Sequence, residues 1–218
     1  MNAYFISGLG ADKRIFSKID LGPDLNIIHL DWIPFSKNQS LKNYAEQLGR
    51  KIDTATPFVV IGVSFGGMIA TEIAKLLEPS KTIIISSTVF NNQFSWIYQL
   101  SGRLNLIKFI PAWLLKSSNK LTQNYYFGTK LQEDKALLKK IIEDTDPHFL
   151  KWAIGAILKW ENNIKPKNLI HIHGGNDKIF PIKKVAPDYT IDSGSHFMVY
   201  QKAEEISVLI NKLTSANN

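Results

Sequence analysis

Phe58-Val-Val-Ile-Gly-Val-Ser-Phe-Gly-Gly67 reads as a strand that runs into a sharp turn and then a helix. Phe58 to Ile61 are apolar on both faces of an extended chain, the pattern of a short buried strand. Gly62 and Gly66 stand two residues either side of Ser64, where any Cβ would crowd a tight reversal. From Gly67 the residues Met68, Ile69, Ile73, Leu76 and Leu77 recur at helical spacing until Glu78-Pro79 stops them. A serine on such a turn exposes its hydroxyl above the positive end of a helix dipole, as a nucleophile requires. A glycine-rich turn that binds phosphate, or merely packs closely, shares the bare Gly-x-Ser-x-Gly pattern. Residues elsewhere must decide between them.

Short apolar runs recur on both sides of this stretch with helical patterns between them, which predicts an α/β domain with a mainly parallel sheet. The predicted strands are Ala3–Ile6, Asn26–Leu30, Phe58–Ile61, Thr82–Ser86, Leu169–His173 and Tyr189–Ile191. Leu41, Tyr44, Ala45, Leu48 and Ile52 share one face of a predicted helix over Leu41–Asp53. Ile206, Leu209, Ile210 and Leu213 do the same over Ala203–Leu213. Between about Asn91 and Asn163 no convincing strand occurs. Instead Asp146-Pro147 opens a helix carrying Phe149, Leu150, Ala153, Ile154, Ile157 and Leu158. The predicted organisation is therefore a core of residues 1–89 and 164–218 with an all-helical cap, residues 90–163, inserted between two strands. No internal repeat or low-complexity tract interrupts it.

A serine hydroxyl needs a base within hydrogen-bond reach, and the base needs an orienting acid. His196, in Ser193-Gly-Ser-His-Phe197, follows the last predicted strand on a loop of small residues. His171 and His173 fall inside an apolar strand and read as packing or hydrogen-bonded groups; His29 is in another strand and His148 near a helix start. For the acid, Asp177 lies in the polar loop after Leu169–His173, closed by Phe180-Pro181. It is preferred because a loop after a different strand can reach the imidazole from the side opposite the serine; Asp192 and Asp31 are its rivals. Two backbone N–H groups must hold the oxyanion of the tetrahedral intermediate. They are assigned to Phe65, directly after the nucleophile, and to Leu9 in Ser7-Gly8-Leu9-Gly10-Ala11 after the first strand. That glycine loop lacks the Gly-Lys-Ser/Thr of a nucleotide site.

Taken together, these motifs make the chain resemble the α/β-hydrolase superfamily over roughly residues 1–89 and 164–213. Gly62-Val-Ser-Phe-Gly66 matches the family's nucleophile elbow, His173-Gly-Gly-Asn-Asp177 its His-Gly-x-x-Asp acid loop, and Gly194-Ser-His196 its Gly-x-His base loop. The resemblance implies a roughly six-stranded minimal core without the family's usual first hairpin, and a helical cap after the family's sixth strand. Where the family often has His-Gly at the oxyanion loop, this chain has Ser7-Gly8. Ser64 argues against the epoxide and carbon–halogen chemistry of members with an aspartate nucleophile.

Composition bounds the rest. The chain has 218 residues and no cysteine, which excludes disulfides, thiolate metal sites and a cysteine nucleophile and agrees with a cytoplasmic protein. Met1-Asn-Ala-Tyr-Phe-Ile-Ser-Gly does not read as a signal peptide, and the apolar stretch Pro57–Thr71 is too short to span a bilayer. The net charge of +7 is concentrated in residues 90–160, with ten Lys/Arg against five Asp/Glu. No arginine stripe with interleaved aromatics points to nucleic acid. Solvated helix faces, or a basic cap facing an anionic substrate, carrier or membrane surface, fit better. Trp96, Ile97, Trp113, Trp152 and Trp160 are candidates for an apolar acyl pocket, in competition with plain core packing.

The expected activity is cleavage of carboxylic esters or thioesters through an acyl-enzyme, with no metal or organic cofactor required. The same residues would serve C–C bond hydrolysis, lyase or perhydrolase chemistry. A non-catalytic binding protein on a hydrolase scaffold is the reading from another class. Sequence does not choose the substrate or the oligomeric state.

Overall fold

The computed structural model describes residues 1–94, 100, 104 and 106–215. Six strands, β1 (Asn2–Ile6), β2 (Asn26–His29), β3 (Phe58–Val63), β4 (Lys81–Ile85), β5 (Leu169–Gly174) and β6 (Tyr189–Ile191), form one sheet in the order β2-β1-β3-β4-β5-β6. All five pairings are parallel. A parallel sheet needs cover on both faces, so its inner strands are largely apolar on both sides, and β3 is apolar and buried along its whole length. The six expected strands are all present, β6 with the expected bounds and the others with ends shifted by one or two residues. β3 continues to Val63 because Gly62 pairs with Ile6 and Val63 with Ile85. β4 stops at Ile85 because Ser86 turns to a φ of 47°.

Alternate side chains of the strands feed two apolar clusters. On one face Val60 and Ile84 meet α1 (Leu41–Gly49) through Tyr44 and Leu48, and α2 (Phe65–Leu77) through Met68, Ile69 and Ile73. On the other, Val59, Ile61 and Ile83 meet Ile206, Ile210 and Leu213 of the last helix, Ala203–Ser215. Helix α1 is shorter than its apolar pattern predicts. Past Gly49 the chain tightens into i→i+3 bonds (Lys51 N to Leu48 O at 3.1 Å, Ile52 N to Gly49 O at 3.0 Å), which still bury Ile52.

Between β4 and β5 the described residues contain helices and no strand: a 3-10 turn over Leu106–Phe109, then α3 (Ala112–Phe127), α4 (Gln132–Asp144) and α5 (Pro147–Leu158). The Asp146 carboxylate accepts the His148 N–H at 2.9 Å and Pro147 takes the first helical position, so α5 starts where its sequence marks the start. The insertion continues both clusters. Leu138, Ile141 and Ile142 of α4 join one, and Phe149, Trp152 and Ala156 of α5 join the other. After β6 come α6 (Met198–Gln201) and α7 (Ala203–Ser215).

Strand order decides where a site can form. From β1 the chain steps outward to β2, then returns through α1 to the opposite side of β1 and proceeds in one direction to β6. The connections leave the carboxyl ends of β1 and β3 in opposite directions, which opens a crevice there. Ser64 and residues 7–11 both emerge at that crevice.

Candidate active site

Ser64 sits between β3 and α2 at φ 53° and ψ −116°, a backbone region that non-glycine residues rarely adopt. The glycines around it are required by contact. A Cβ on Gly62 would lie 2.2 Å from the Gly66 carbonyl oxygen, and one on Gly66 would lie 2.3 Å from the carbonyl oxygens of Ile6 and Ser7. The turn is held from three sides. Ser64 N–H donates to Ile85 O at 2.9 Å, while the Ser64 carbonyl accepts from Gly67 N–H at 2.9 Å and from the Ser87 hydroxyl at 2.7 Å.

His196 Nε2 lies 2.9 Å from Ser64 Oγ, and its Nδ1 lies 2.8 Å from Asp177 Oδ2. The other carboxylate oxygen, Oδ1, accepts the Ile179 and Phe180 amides at 2.8 and 2.9 Å. With both oxygens engaged, the carboxylate cannot rotate away from the imidazole. A carboxylate only accepts, so Nδ1 carries the proton and Nε2 is left to accept from the serine hydroxyl. Burial alone would raise the Asp177 carboxyl. The opposing charge and hydrogen bond of His196, with the Phe180 amide, outweigh it and hold the group below the usual carboxylate range. The imidazole stands edge-on to Phe127 with ring centroids 5.4 Å apart and is tilted against Phe180 at 5.7 Å.

Leu9 and Phe65 both line the cavity next to Ser64, and neither backbone amide is hydrogen-bonded within the described residues. Phe65 opens α2, so its N–H also carries the helix-end partial charge. The Leu9 loop is rigidly tied. Ala11 N–H donates to Gly8 O at 2.9 Å, Trp32 Nε1 donates to Ala11 O at 2.8 Å, and Thr145 Oγ1 reaches from the insertion to Gly10 O at 2.6 Å. Ser7 is buried and donates its hydroxyl to Ala11 O at 2.7 Å. It closes the loop.

A cavity of about 440 Å³ surrounds Ser64. Its walls are mostly apolar and include Leu138, Ile141 and Ile142 of α4 and Ile154, Ile157 and Leu158 of α5. Lys178 is the one lysine or arginine along its described lining, and its Nζ lies 3.6 Å from the Tyr125 ring centroid. The tryptophans expected there need correction. Trp113 is 65% exposed, on the outer side of α3. Trp152 is buried away from the cavity against Phe35 and Tyr44, with its Nε1 donating to Gln39 O. Trp160 is buried with its Nε1 on Glu72 Oε1 at 2.8 Å. Trp96 and Ile97 lie outside the described residues. The aliphatic stripes that do form the walls are visible in sequence, but they look the same as stripes facing a core.

The remaining candidates stand apart from Ser64. Asp192 and Asp31 are exposed. His171 Nε2 lies 3.0 Å from His173 Nδ1, and His173 Nε2 donates to Phe180 O at 2.7 Å, which fixes the direction of this buried chain. His173 also comes within 3.6 Å of Asp177 Oδ2, a second imidazole beside the acid that its strand position did not reveal. Among the described residues no group of three or more His, Asp or Glu could hold a metal ion, and no helix is long and apolar enough to cross a membrane.

No protein-family model matches the sequence, and no curated protein matches it closely. Solved structures do. A hydrolase from Oleispira antarctica superposes with a TM-score of 0.75 at 15% identity, over 100% of this chain and 91% of that one. A thermophilic esterase from Thermogutta terrifontis gives 0.73 at 12% identity over 99% and 89%. A lipase-esterase related protein from Clostridium acetobutylicum gives 0.67 at 19% identity over 97% and 93%. At these identities the likeness establishes architecture alone: the chain has the α/β-hydrolase fold.

Proposed function

We propose that the protein is a serine hydrolase that cleaves carboxylic esters or thioesters, with Ser64, His196 and Asp177 as its catalytic residues and residues 90–163 as a cap over the acyl pocket. The observation that carries this reading is the imidazole of His196, 2.9 Å from the Ser64 hydroxyl and 2.8 Å from the Asp177 carboxylate. Names of proteins with similar structures, esterases and hydrolases among them, agree with it. The cysteine-free sequence fits a cytoplasmic setting.

In the proposed reaction Ser64 Oγ attacks the substrate carbonyl carbon while His196 Nε2 takes the hydroxyl proton. The carbonyl oxygen becomes an oxyanion held by the Leu9 and Phe65 amides. Asp177 stays ionised and offsets the charge of the imidazolium. Collapse of the intermediate breaks the bond to the alcohol or thiol, which leaves with the proton from Nε2. Water, deprotonated by the same nitrogen, then attacks the acyl-Ser64 ester and releases the acid.

Labelling with a fluorophosphonate probe tests this. The wild-type protein should react and Ser64→Ala should not, and Ser64→Ala should lose on the order of a million-fold in kcat towards an activated ester. A wild-type protein inert to the probe, or a Ser64→Ala variant that still turns over, would defeat the proposal. Paired ester and thioester substrates with the same acyl group resolve which leaving group it prefers.

A further inference from the structure

The insertion presents an apolar surface to solvent on the far side of the cavity wall. Ile107 is buried against Gly155 of α5, and Lys151 Nζ on the same helix donates to Lys108 O at 2.9 Å. The turn Leu106–Phe109 is thereby docked on α5, while its other large side chains stay exposed. Phe109 is 83% exposed, and Leu104, Leu106, Trp113 and Leu114 are exposed with it. Scattered exposed apolar residues are ordinary on a protein surface, but five large ones within residues 104–114 are not.

Charge indicates what covers them. No Asp or Glu occurs between Glu78 and Glu133, whereas Arg103, Lys108, Lys116, Lys120 and Lys130 all fall in that stretch. The Lys108 ammonium has no carboxylate partner among the described residues, and Lys116 Nζ donates to the Glu143 and Thr145 carbonyls. A second copy of this chain would bring the same positive charge to the contact and be repelled. A surface that is apolar beneath and negative on top matches both features, and an aromatic pair flanked by lysines is what such a boundary favours. On its reverse side α3 contributes Leu115 and Tyr126 to the cavity wall, so one helix separates this face from Ser64.

We propose that the turn Leu106–Phe109 and the first turn of α3 bind an anionic lipid surface peripherally. Phe109 and Trp113 enter the boundary between headgroups and acyl chains, and Lys108 meets headgroup phosphates. No described helix is long enough to cross the bilayer, so attachment is to the surface. The inference is independent of the chemistry at Ser64.

Sedimentation of the full chain with vesicles tests it, comparing phosphatidylcholine alone with phosphatidylcholine mixed with phosphatidylglycerol. Binding to the anionic vesicles should be about ten-fold tighter or more at low salt and should weaken as salt is added. Phe109→Ser combined with Trp113→Ser should reduce it about ten-fold or more, and Lys108→Gln about five-fold. These variants should keep wild-type melting temperature and wild-type turnover of a short soluble ester. Ser64→Ala should bind vesicles as the wild type does, so failure of the hydrolase reading would leave this result standing. No binding to either vesicle, equal binding to both, or undiminished binding by the double variant overturns the proposal. So does a wild-type dimer that the double variant converts to monomer, which would make the face a self-association surface.

Discussion

Asp177 is the residue whose surroundings are most fully determined, because both of its oxygens and the imidazole it faces are engaged. Asp177→Asn preserves that shape while changing what it offers. The amide oxygen still accepts from Ile179 and Phe180, but the amide nitrogen now donates towards His196 Nδ1. The imidazole proton is then forced to Nε2, where it blocks acceptance from Ser64 Oγ. If Ser64, His196 and Asp177 act together as proposed, kcat should fall about 10⁴-fold with little change in KM, and raising the pH should not restore it. Steady-state kinetics on one ester from neutral to alkaline pH checks this; a loss confined to KM would place Asp177 outside the chemistry. The three loops that carry Ser64, Asp177 and His196 were legible in the sequence because each is a local pattern: glycines where backbones touch, a polar loop after a strand, and small residues beside the histidine. The role of Ser7 was not legible, since a hydroxyl turned back on its own loop looks no different in sequence from one facing the substrate.

At the scale of elements, His171 and His173 lie on one face of β5, two residues apart and both buried. Burial, joined for His171 by the neighbouring His173, lowers both, and His171 is pushed down to about 3. The native protein therefore keeps them neutral where the unfolded chain takes up protons, below the usual imidazole value of about 6.5. Stability should be level above that pH and fall as pH drops below it, by up to ~1.4 kcal/mol per pH unit for each histidine. The lowered carboxyl of Asp177 acts in a more acidic window, below about pH 4, because its stabilisation is lost only as the carboxylate itself protonates. Urea denaturation midpoints at pH 7, 6 and 5 test the assignment, and His171→Asn should flatten the decline. A second element-level contact ties the insertion to the base loop. Gln201 Nε2 donates to Asp134 Oδ2 at 2.7 Å, and its Oε1 accepts from the Ser195 hydroxyl at 2.5 Å, next to His196. Gln201→Leu leaves two buried polar groups without that partner and should cost ~1–3 kcal/mol of stability, read as a lower urea midpoint. The six strands were readable because apolar runs between turn signals are local. The cavity walls were not, because whether Ile141 or Ile157 faces a core or an empty space depends on how α4 and α5 dock.

At the scale of the whole molecule, the cavity lies where the two apolar clusters meet around the carboxyl end of the sheet. Leu138, Ile141 and Ile142 belong to one cluster, while Ile157 and Phe180 pack with the other, and all five line the cavity together with Ser64. If Ser64 acts as the nucleophile and the walls formed by α4 and α5 bound separate arms of the cavity, one arm receives the acyl chain and the other the alcohol or thiol. Filling each arm separately should then change separate specificities. Ile141→Trp and Ile157→Trp each replace a wall residue with a larger apolar one, so neither adds a buried polar group except the indole N–H. Each methylene denied its place costs ~0.8 kcal/mol, about four-fold in kcat/KM, so the profiles should diverge steeply with chain length. Two substrate series measured on both variants give the answer: methyl esters of lengthening acids, and acetate esters of lengthening alcohols. One variant should truncate the first series and leave the second unchanged, and the other variant should do the reverse. If both variants truncate the same series, the cavity has a single functional arm, and the wall formed by the other helix serves packing alone.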